Sequence, residues 1–566
     1  MRFDLFVADT GRQWYGPSYV PGDCPASLRA EIARDRILDD FVHPFVGFGV
    51  DALVLRIAQG NQFLCYDSEV GESVVSIQGR IERQYGLSPR SAGGPEYVSF
   101  PHALGLWRLA ENFRLFSEIG FDPWEVIIER ARDKGMQVFL DLQINPAYPT
   151  RHYLDGSEMP ASRFLLEHEE WLLGHECHRV DTGVGEGAYR AIYDAPAPDG
   201  DAHARPETAF CARLDFGREE VRDYRLAVID EISRRYAPDG IQIDFCADPH
   251  FFRQGKTEEG RALLSGFMAR AKQLLRDGER LGRPARLLAR LFAHQGLEYL
   301  RRDVGMDVAA WIADGSVDVL VPVVSTTTLE HADRVRECVE AASGSNCRVL
   351  VGVSEIMSDQ FTKVRPSTEM LQAANLTYRR AGVDGLQVSW PRSQKAALDY
   401  QRPDDFDVLA ELKSPAVAER ADKHYVWRDQ LPLTLVAGRD YDVKLTIGDD
   451  VAAGRGAIGT ILLVIGLRHF TADDEVSFRC NGRDIPWDRF VEPDYPSVWY
   501  RVGRLEALLT DGDWLRRGDN ELGVRVHRHV PDPEGMELPA SHPKRPDHLV
   551  LMNLELIITY EQTPTA

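Results

Sequence analysis

Eight short apolar segments recur along the first 400 residues, and segments with helical periodicity separate them. Short continuous runs of Val, Ile, Leu and Phe are typical of parallel strands that are buried on both faces. The predicted strands are Phe3–Ala8, Val50–Ile57, Met136–Leu142, Gly240–Phe245, Arg286–Phe292, Val317–Val323, Arg348–Val353 and Val383–Val388. This alternation predicts a closed (β/α)8 barrel, with an open doubly wound sheet as the rival. No G-x-G-x-x-G motif follows the first segment, which disfavours a dinucleotide-binding form of that rival.

Helix boundary signals support the alternation. Asp122 suits an N-cap, Pro123 suits the first helical position, and Gly135 suits the helix end before the third strand. The segment Arg218–Tyr236 places apolar side chains on one helical face directly before the fourth strand. Ser367 begins the helix that leads to the eighth strand.

Two connections are much longer than usual loops, and both follow strand ends. They run from Asn61 to about Asn112 and from Asn145 to about Asp215, and they are rich in aromatic residues. Because active sites of such barrels lie at the C-terminal ends of the strands, we expect both connections to rise over the active face. They could form walls around a substrate.

The pattern changes after about residue 400, where apolar residues begin to alternate with polar ones. This period of two predicts antiparallel strands, and Asn481-Gly482 is a hairpin signal between two of them. We therefore predict a barrel domain over residues 1–425 and an antiparallel β-sandwich over residues 426–566. The role of the second domain is left open, with structural support favoured, and so is self-association into a homo-oligomer.

The composition and charge of the chain limit the kinds of partner and the cellular compartment that we expect. The net charge of −22 disfavours nucleic acid and anionic membranes. The eight cysteines show no framework of close pairs, which favours a reducing compartment. The N-terminal apolar run is short and broken by Asp4, unlike a signal peptide. As the sequence stands this predicts a cytoplasmic protein, although a secretion signal removed earlier would leave the same chain.

Two acids at strand ends are the candidate catalytic residues. Asp244 ends the fourth strand and Glu355 follows the seventh, so the two would face each other across a barrel mouth. Two opposed carboxyl groups are what hydrolysis of a glycosidic bond requires: one donates a proton and the other attacks or activates water. The plainer interpretation is that each acid caps a helix or pairs with an arginine.

Further polar and aromatic residues near the strand ends are candidates for binding substrate. Arg56 and Arg290 lie within apolar runs and should point into the barrel, where an internal pair with Asp141 or Asp244 is slightly favoured over substrate binding. Asp141 and Asp248 are also alternatives to Asp244 as the acid. The predicted substrate-binding residues are Asp141, Asn145, Arg56, Asp248, His250, Arg290 and Trp390.

No cofactor or metal is expected. His175, Cys177 and His178 resemble a metal cluster, but no second Cys or His pair stands at zinc-site spacing, so a chance loop composition is favoured. The P-loop, G-x-S-x-G and H-E-x-x-H motifs are all missing from the sequence, which disfavours NTP hydrolysis, serine esterase chemistry and zincin chemistry.

Several motifs resemble the bacterial glycosyl-hydrolase-like family 10 proteins, which are polysaccharide-degrading barrels. The resemblance covers roughly residues 1–400, and it implies a TIM barrel with glycosidase activity. The best-known glycosidase barrels carry Asn-Glu after strand four, whereas this chain has Asp244-Phe245-Cys246-Ala247-Asp248. The motifs are Leu214-Asp215-Phe216 with Asp239-Gly240-Ile241-Gln242-Ile243-Asp244-Phe245, Trp311–Pro322 and Ala381–Leu386. In the C-terminal part, Leu515–Leu522 resembles a turn of the accessory β-sandwiches found in glycosidases.

The sequence thus predicts a glycoside hydrolase that acts on a poly- or oligosaccharide, with Asp244 as general acid and Glu355 as nucleophile or base. Two alternatives stay open. One is a lyase or isomerase acting on a sugar acid, with His250 as base and Arg290 binding the carboxylate. The other is a glycan-binding protein without catalysis.

Overall fold

The structure is a computed structural model, and it describes most of the chain. Its contacts divide the chain into two compact units, one comprising Met1–Val323, Arg334–Glu355 and Val383–Ala410, the other the remaining residues. The described residues are 4–9, 14, 18–20, 24–59, 62–85, 101–145, 162–178, 211–246, 250–277, 282, 284–323, 332–353, 357–358, 363–364, 366–389, 406–427, 430–491, 502–510, 513–532 and 545–561.

Eight parallel strands of the first unit close into a barrel, as predicted. Each strand pairs with its sequence neighbours, and β8 pairs with β1 to complete the ring. All eight predicted segments overlap an observed strand, and the open-sheet rival is wrong. The strands are β1 (Leu5–Asp9), β2 (Ala52–Arg56), β3 (Gln137–Gln143), β4 (Gly240–Asp244), β5 (Arg286–Phe292), β6 (Val319–Val323), β7 (Arg348–Val353) and β8 (Gly385–Ser389).

The barrel interior is filled by apolar side chains from alternate strand positions. Packing is tight at the start of β4, where a Cβ atom on Gly240 would lie 2.3 Å from the Arg286 carbonyl oxygen. This close approach explains a glycine at that position. The interior cluster comprises Phe6, Ala8, Ala52, Val54, Phe139, Leu288, Val319, Val321 and Leu350.

Helices follow or precede the barrel strands along the chain. Among the described residues, none of them is long and apolar enough to cross a membrane. In chain order the helices are α1 (Arg29–Phe41), α2 (Gln78–Tyr85), α3 (Pro101–Glu118), α4 (Pro123–Asp133), α5 (Arg163–Glu167), α6 (Glu219–Tyr236), α7 (Thr257–Asp277), α8 (Leu297–Tyr299), α9 (Val308–Ala313), α10 (Ala332–Ala342), α11 (Thr368–Ala381), α12 (Asp407–Lys413), α13 (Pro415–Ala418) and α14 (Val451–Gly454).

The predicted helix starts are confirmed. The Asp122 carboxylate accepts the Trp124 N–H at the start of α4, and Ser367 accepts the Met370 N–H at the start of α11. Gly135, with a φ of 80°, follows α4.

The two long connections carry regular structure of their own. Helices α2 and α3 occupy much of the first, and α5 lies in the second. In the second, the short strands Leu172–Gly174 and Cys211–Leu214 pair antiparallel. Trp107 of α3 is buried, so part of the aromatic content of the first segment packs inside the protein.

Besides the short antiparallel pair of Met357–Ser358 and Lys363–Val364, the described residues of the second unit form two larger antiparallel sheets. One has five strands and the other four, and both contribute residues to a single apolar core that includes Leu463, Phe478, Leu522 and Leu554. The antiparallel sheets predicted for the C-terminal part are therefore confirmed. Their strands are β9 (Lys423–Trp427), β10 (Leu433–Val436), β11 (Asp440–Ile447), β12 (Ile458–Arg468), β13 (Glu475–Cys480), β14 (Arg483–Ile485), β15 (Val502–Leu508), β16 (Gly518–Arg528) and β17 (His548–Tyr560).

The hairpin predicted at Asn481-Gly482 joins β13 to β14. Both residues have positive φ angles, 50° and 77°, as a tight two-residue hairpin turn requires. The Asn481 side chain also donates to the Trp514 carbonyl oxygen at 2.8 Å.

Candidate active site at the barrel mouth

A buried layer of charged side chains lies at the C-terminal ends of neighbouring barrel strands. Arg56 ends β2, Asp141 lies in β3, Asp244 ends β4 and Arg290 lies in β5. The strand register places Arg56 beside Asp141 and Asp244 beside Arg290. Two arginines and two carboxyl groups therefore meet where barrel enzymes carry their catalytic groups.

Arg56 joins the two carboxyl groups. Its Nη2 atom lies 2.7 Å from the Asp141 Oδ2 atom and 2.7 Å from the Asp244 Oδ2 atom. Its Nε atom also donates to Asp141 at 2.8 Å. The internal pairing favoured from the sequence is thus confirmed, and the two carboxyl oxygens are separated by at most twice the nitrogen–oxygen distance.

Asp244 is the better stabilised of the two carboxylates. Arg290 Nη1 lies 3.1 Å and 3.0 Å from its two oxygens, and the Cys246 N–H donates to Oδ1 at 2.8 Å. Burial opposes ionisation, but Arg290, Arg56 and this N–H together outweigh it and lower the pKa of Asp244. Asp244 is therefore held as a carboxylate.

The pKa of Asp141 is shifted in the opposite direction, upwards. Burial is the dominant effect and raises its pKa, the charge of Asp244 adds to the rise, and Arg56 and Gln242 only partly oppose it. Gln242 Nε2 donates to Asp141 Oδ1 at 2.8 Å. Neighbouring carboxyl groups whose environments move their pKa values apart are suited to separate acid and base roles.

Arg290 is only partly used by these contacts. In the described structure its hydrogen bonds to Asp244 both come from Nη1, and its side chain is 19% exposed. The guanidinium therefore has further N–H groups with which a ligand could bond.

The side-chain amide of Asn145 forms hydrogen bonds with backbone groups. Its amide nitrogen donates to the carbonyl oxygens of Leu214 and His250, at 3.0 Å and 2.9 Å, and its oxygen accepts the Leu214 N–H at 3.0 Å. Asn145 thus positions the segments after β3 and β4. Direct binding of a sugar, as predicted from the sequence, would require one of these bonds to break.

His250 is buried, and its backbone carbonyl is held by Asn145. Three other predicted site residues, Glu355, Asp248 and Trp390, lie outside the described residues. Their predicted roles stay predictions.

His175, Cys177 and His178, which resemble a metal cluster in the sequence, do not form one among the described residues. In the described part of the chain, no group of three or more His, Cys, Asp or Glu side chains is arranged to hold a metal ion. Cys177 instead lies in a small apolar cluster with Leu173 and Cys211.

Sequence reasoning missed two participants, Gln242 and Cys246. A glutamine in the middle of a buried strand was a usable signal, because its amide must find a partner inside the barrel. The Cys246 contact comes from the backbone, so its residue type gave no signal.

No protein-family model and no curated protein sequence matches this chain. The predicted membership of glycosyl-hydrolase-like family 10 therefore stays a prediction. Solved structures do resemble the chain, and they include glycoside hydrolases of several families, among them families 36, 20 and 5.

Three of these structures illustrate the likeness. A cycloisomaltooligosaccharide glucanotransferase from Paenibacillus sp. is 9% identical with a TM-score of 0.30, and the match covers 98% of this chain and 57% of that one. The PgaB (BpsB) glycoside hydrolase domain from Bordetella bronchiseptica is 10% identical with a TM-score of 0.38, covering 73% and 99%. An alpha-amylase from Malbranchea cinnamomea is 11% identical with a TM-score of 0.35, covering 92% and 95%. At these values the likeness assigns neither activity nor substrate, so function rests on the site.

Proposed function

We propose that this protein is a glycoside hydrolase that acts on a poly- or oligosaccharide through two carboxyl groups at the barrel mouth. The observation that carries the proposal is the contrast between Asp141 and Asp244. They share one arginine nitrogen, yet the pKa of one is raised and that of the other is lowered. Such a pair provides a proton donor beside a carboxylate.

This contrast changes the roles expected from the sequence. A carboxylate stabilised by two arginines is poorly suited to donate a proton near neutral pH, so we assign Asp244 the role of nucleophile or base. Asp141, whose ionisation is opposed by burial, is the proposed general acid. Glu355 remains a proposed alternative partner of Asp244, as predicted from the sequence.

The separation of the two oxygens favours a retaining mechanism. Each lies 2.7 Å from the same Arg56 nitrogen. Retaining enzymes hold their carboxyl groups ~5–5.5 Å apart, whereas inverting enzymes need ~6.5–9.5 Å. Arg56 lies between the two groups, so a glycosidic bond reaches both only when this guanidinium moves aside and binds a sugar hydroxyl instead.

The test is a screen of the protein against a broad panel of oligosaccharides and polysaccharides, with products identified by mass. Hydrolysis adds one water per bond, and in 18O-labelled water the label enters the new reducing end. The variants Asp141→Asn, Asp244→Asn and Glu355→Gln are assayed on any glycan that is cleaved. Full activity in both aspartate variants would contradict the proposed pair. Loss of activity in Glu355→Gln together with full activity in Asp141→Asn would mean that Glu355, and not Asp141, is the general acid.

A sugar-acid lyase is the second candidate, and Arg290 is the observation that favours it. Its partly exposed guanidinium could bind a substrate carboxylate. A lyase leaves an unsaturated sugar that absorbs in the near ultraviolet and incorporates no 18O from water. The same product analysis therefore separates the two candidates.

A further inference from the structure

Two cysteines that are far apart in sequence meet beside the segments that follow β3 and β4. Cys177 follows the short strand Leu172–Gly174, and Cys211 begins the strand Cys211–Leu214 that pairs with it. Both side chains are buried in one small apolar cluster with Leu173. Both are free cysteines, and the Cys177 thiol donates to the His178 carbonyl oxygen at 3.6 Å.

The surroundings of Cys211 favour a thiolate. Arg213 Nη1 lies 3.6 Å from the Cys211 sulfur. Burial opposes ionisation, but the Cys177 hydrogen bond, Arg213 and His250 outweigh it and lower the pKa of Cys211. A thiolate next to a second thiol is the arrangement that forms a disulfide after oxidation.

The backbone around Cys177 connects this pair to the barrel mouth. Residue 177 forms a β-bridge with Arg253, and the His178 N–H donates to the Phe252 carbonyl oxygen at 3.0 Å. Leu214, at the end of the other strand, is held by Asn145. A bond between the two sulfurs would therefore tie together segments that border the proposed site.

We propose that Cys177 and Cys211 are a redox modification site that a small hydroperoxide converts reversibly into a disulfide. The Cys211 thiolate attacks the peroxide O–O bond, which breaks to give a sulfenic acid and, after protonation, water or an alcohol. The Cys177 sulfur then attacks the sulfenic sulfur, the S–S bond forms and water leaves. Two thiols and one hydroperoxide thus give one disulfide, one water and one alcohol, or a second water when the oxidant is hydrogen peroxide.

The chain offers a matched control pair. Cys338 and Cys347 are also buried, and burial raises the pKa of each to about 12. They share burial with Cys177 and Cys211, but among the described residues no cation lowers the pKa of either thiol. We therefore expect them to stay reduced at oxidant doses that oxidise the first pair.

The experiment treats the full-length protein with graded hydrogen peroxide, blocks the remaining thiols with an alkylating reagent and maps the peptides without reduction. The expected result is a linked peptide that joins Cys177 to Cys211, with the loss of two hydrogens, and its disappearance after dithiothreitol. Cys338 and Cys347 should be recovered alkylated. Because Cys211 is buried, a bulky aromatic disulfide reagent should react much more slowly than peroxide.

Cys177→Ser and Cys211→Ser test the order of the two steps. Cys177→Ser should leave a sulfenic acid on Cys211 that a dimedone probe traps, whereas Cys211→Ser should give no such adduct on Cys177. Unchanged Cys177 and Cys211 in the wild-type peptide map, or equal oxidation of the Cys338–Cys347 pair, would overturn the proposal. The wild-type map is decisive even if a variant fails to fold.

Discussion

Two of the buried ionic clusters among the described residues differ in composition and in their partners. The first is the barrel-mouth cluster of Arg56, Asp141, Asp244 and Arg290. The second, in the antiparallel unit, contains a single carboxylate, Asp474. That carboxylate accepts from His529 Nδ1 at 2.8 Å, from Arg545 Nη2 at 2.6 Å and from the Thr471 N–H at 2.7 Å.

The second cluster joins two parts of the chain. The other nitrogen of His529, Nε2, lies 2.9 Å from the Pro546 carbonyl oxygen, so both ring nitrogens face acceptors. Arg545 belongs to the segment before β17 and bonds back to Asp474, which precedes β13. Every partner therefore contributes to holding loops in place.

The difference teaches that burial and charge do not by themselves mark an active site. In both clusters an aspartate has a lowered pKa, since cationic and N–H partners outweigh the cost of burial. Only the barrel mouth adds a second carboxyl group whose pKa is raised. A proton donor beside a stable carboxylate can perform acid–base chemistry, whereas a single satisfied carboxylate stabilises the fold.

The same substitution in the two clusters gives the sharpest test of this distinction. Asp244→Asn should lower kcat by roughly 10²–10⁴-fold, the range for loss of a group that acts on the reacting atoms, with little change in KM. Asp474→Asn should leave kcat within about twofold once the protein is folded. Steady-state kinetics on a glycan identified by the panel would measure both, and equal losses in the two variants would remove the contrast.

The sequence revealed the barrel more reliably than the site. Apolar runs such as Arg286–Phe292 and Arg348–Val353 coincide with β5 and β7, because a strand buried on both faces must be apolar throughout. The polarity of Arg56 and Arg290 within such runs correctly predicted internal pairing. What sequence could not supply was which carboxyl group each arginine contacts, and hence which acid is ionised.

That missing information is geometric. Asp244 receives two arginines and a backbone N–H, whereas Asp141 shares one arginine and receives one amide. Their positions in the strands place both acids at the mouth but do not show which one keeps its proton. The sequence therefore led to Asp244 as the acid, whereas the contacts favour Asp141. The pairing of Asp474 with Arg545, 71 residues away, had no sequence signal either.

The second prediction concerns stability, where we expect the substitution in the Asp474 cluster to have the larger effect. Asp474→Asn removes a carboxylate whose partners are buried, and we expect a loss of about 3–5 kcal/mol in the free energy of unfolding. Because the pKa of Asp474 is lower in the folded state, its contribution is complete above the unfolded value of about 3.9 and is lost as pH falls through the folded value.

Chemical denaturation of wild type and Asp474→Asn between neutral and acidic pH would measure this. The difference between the two curves should shrink as pH falls, since the wild-type carboxylate becomes protonated. Asp141→Asn should behave in the opposite way, because a raised pKa destabilises the folded wild type as pH rises above the unfolded value. A pH-independent difference for Asp474→Asn would exclude the ionic role.

The third prediction concerns the pH dependence of turnover. Activity should fall at low pH as Asp244 is protonated and at high pH as Asp141 loses its proton. Arg290→Met removes a charge that lowers the pKa of Asp244, so the acidic limb should move up by about one pH unit or more. Gln242→Leu removes a donor that lowers the pKa of Asp141, so the alkaline limb should move up, by less.

Arg290 also lowers the pKa of Asp141, so Arg290→Met should move both limbs up, with the larger shift at the acidic limb, whereas Gln242→Leu should move the alkaline limb alone. Profiles of kcat against pH would therefore show two displaced limbs in Arg290→Met and one in Gln242→Leu. Arg301→Met, which breaks only an exposed pair with Glu298, is the control and should leave both limbs in place. If Gln242→Leu moved the acidic limb and left the alkaline limb unchanged, Asp141 would be the base and Asp244 the acid.

The smallest expected effect lies in the antiparallel unit, at the hairpin between β13 and β14. A Cβ atom on Gly482 would meet nothing within 4 Å, so the cost of Gly482→Ala comes from its φ of +77° alone. A left-handed conformation costs a residue with a Cβ atom about 1 kcal/mol.

Gly456→Ala is the matched control, because that glycine also has open space and lacks a positive φ. Thermal unfolding should show a lower Tm for Gly482→Ala than for Gly456→Ala, with unchanged turnover in both. A change in turnover for Gly482→Ala would mean that the antiparallel unit contributes to the chemistry, against the division of roles between the two clusters.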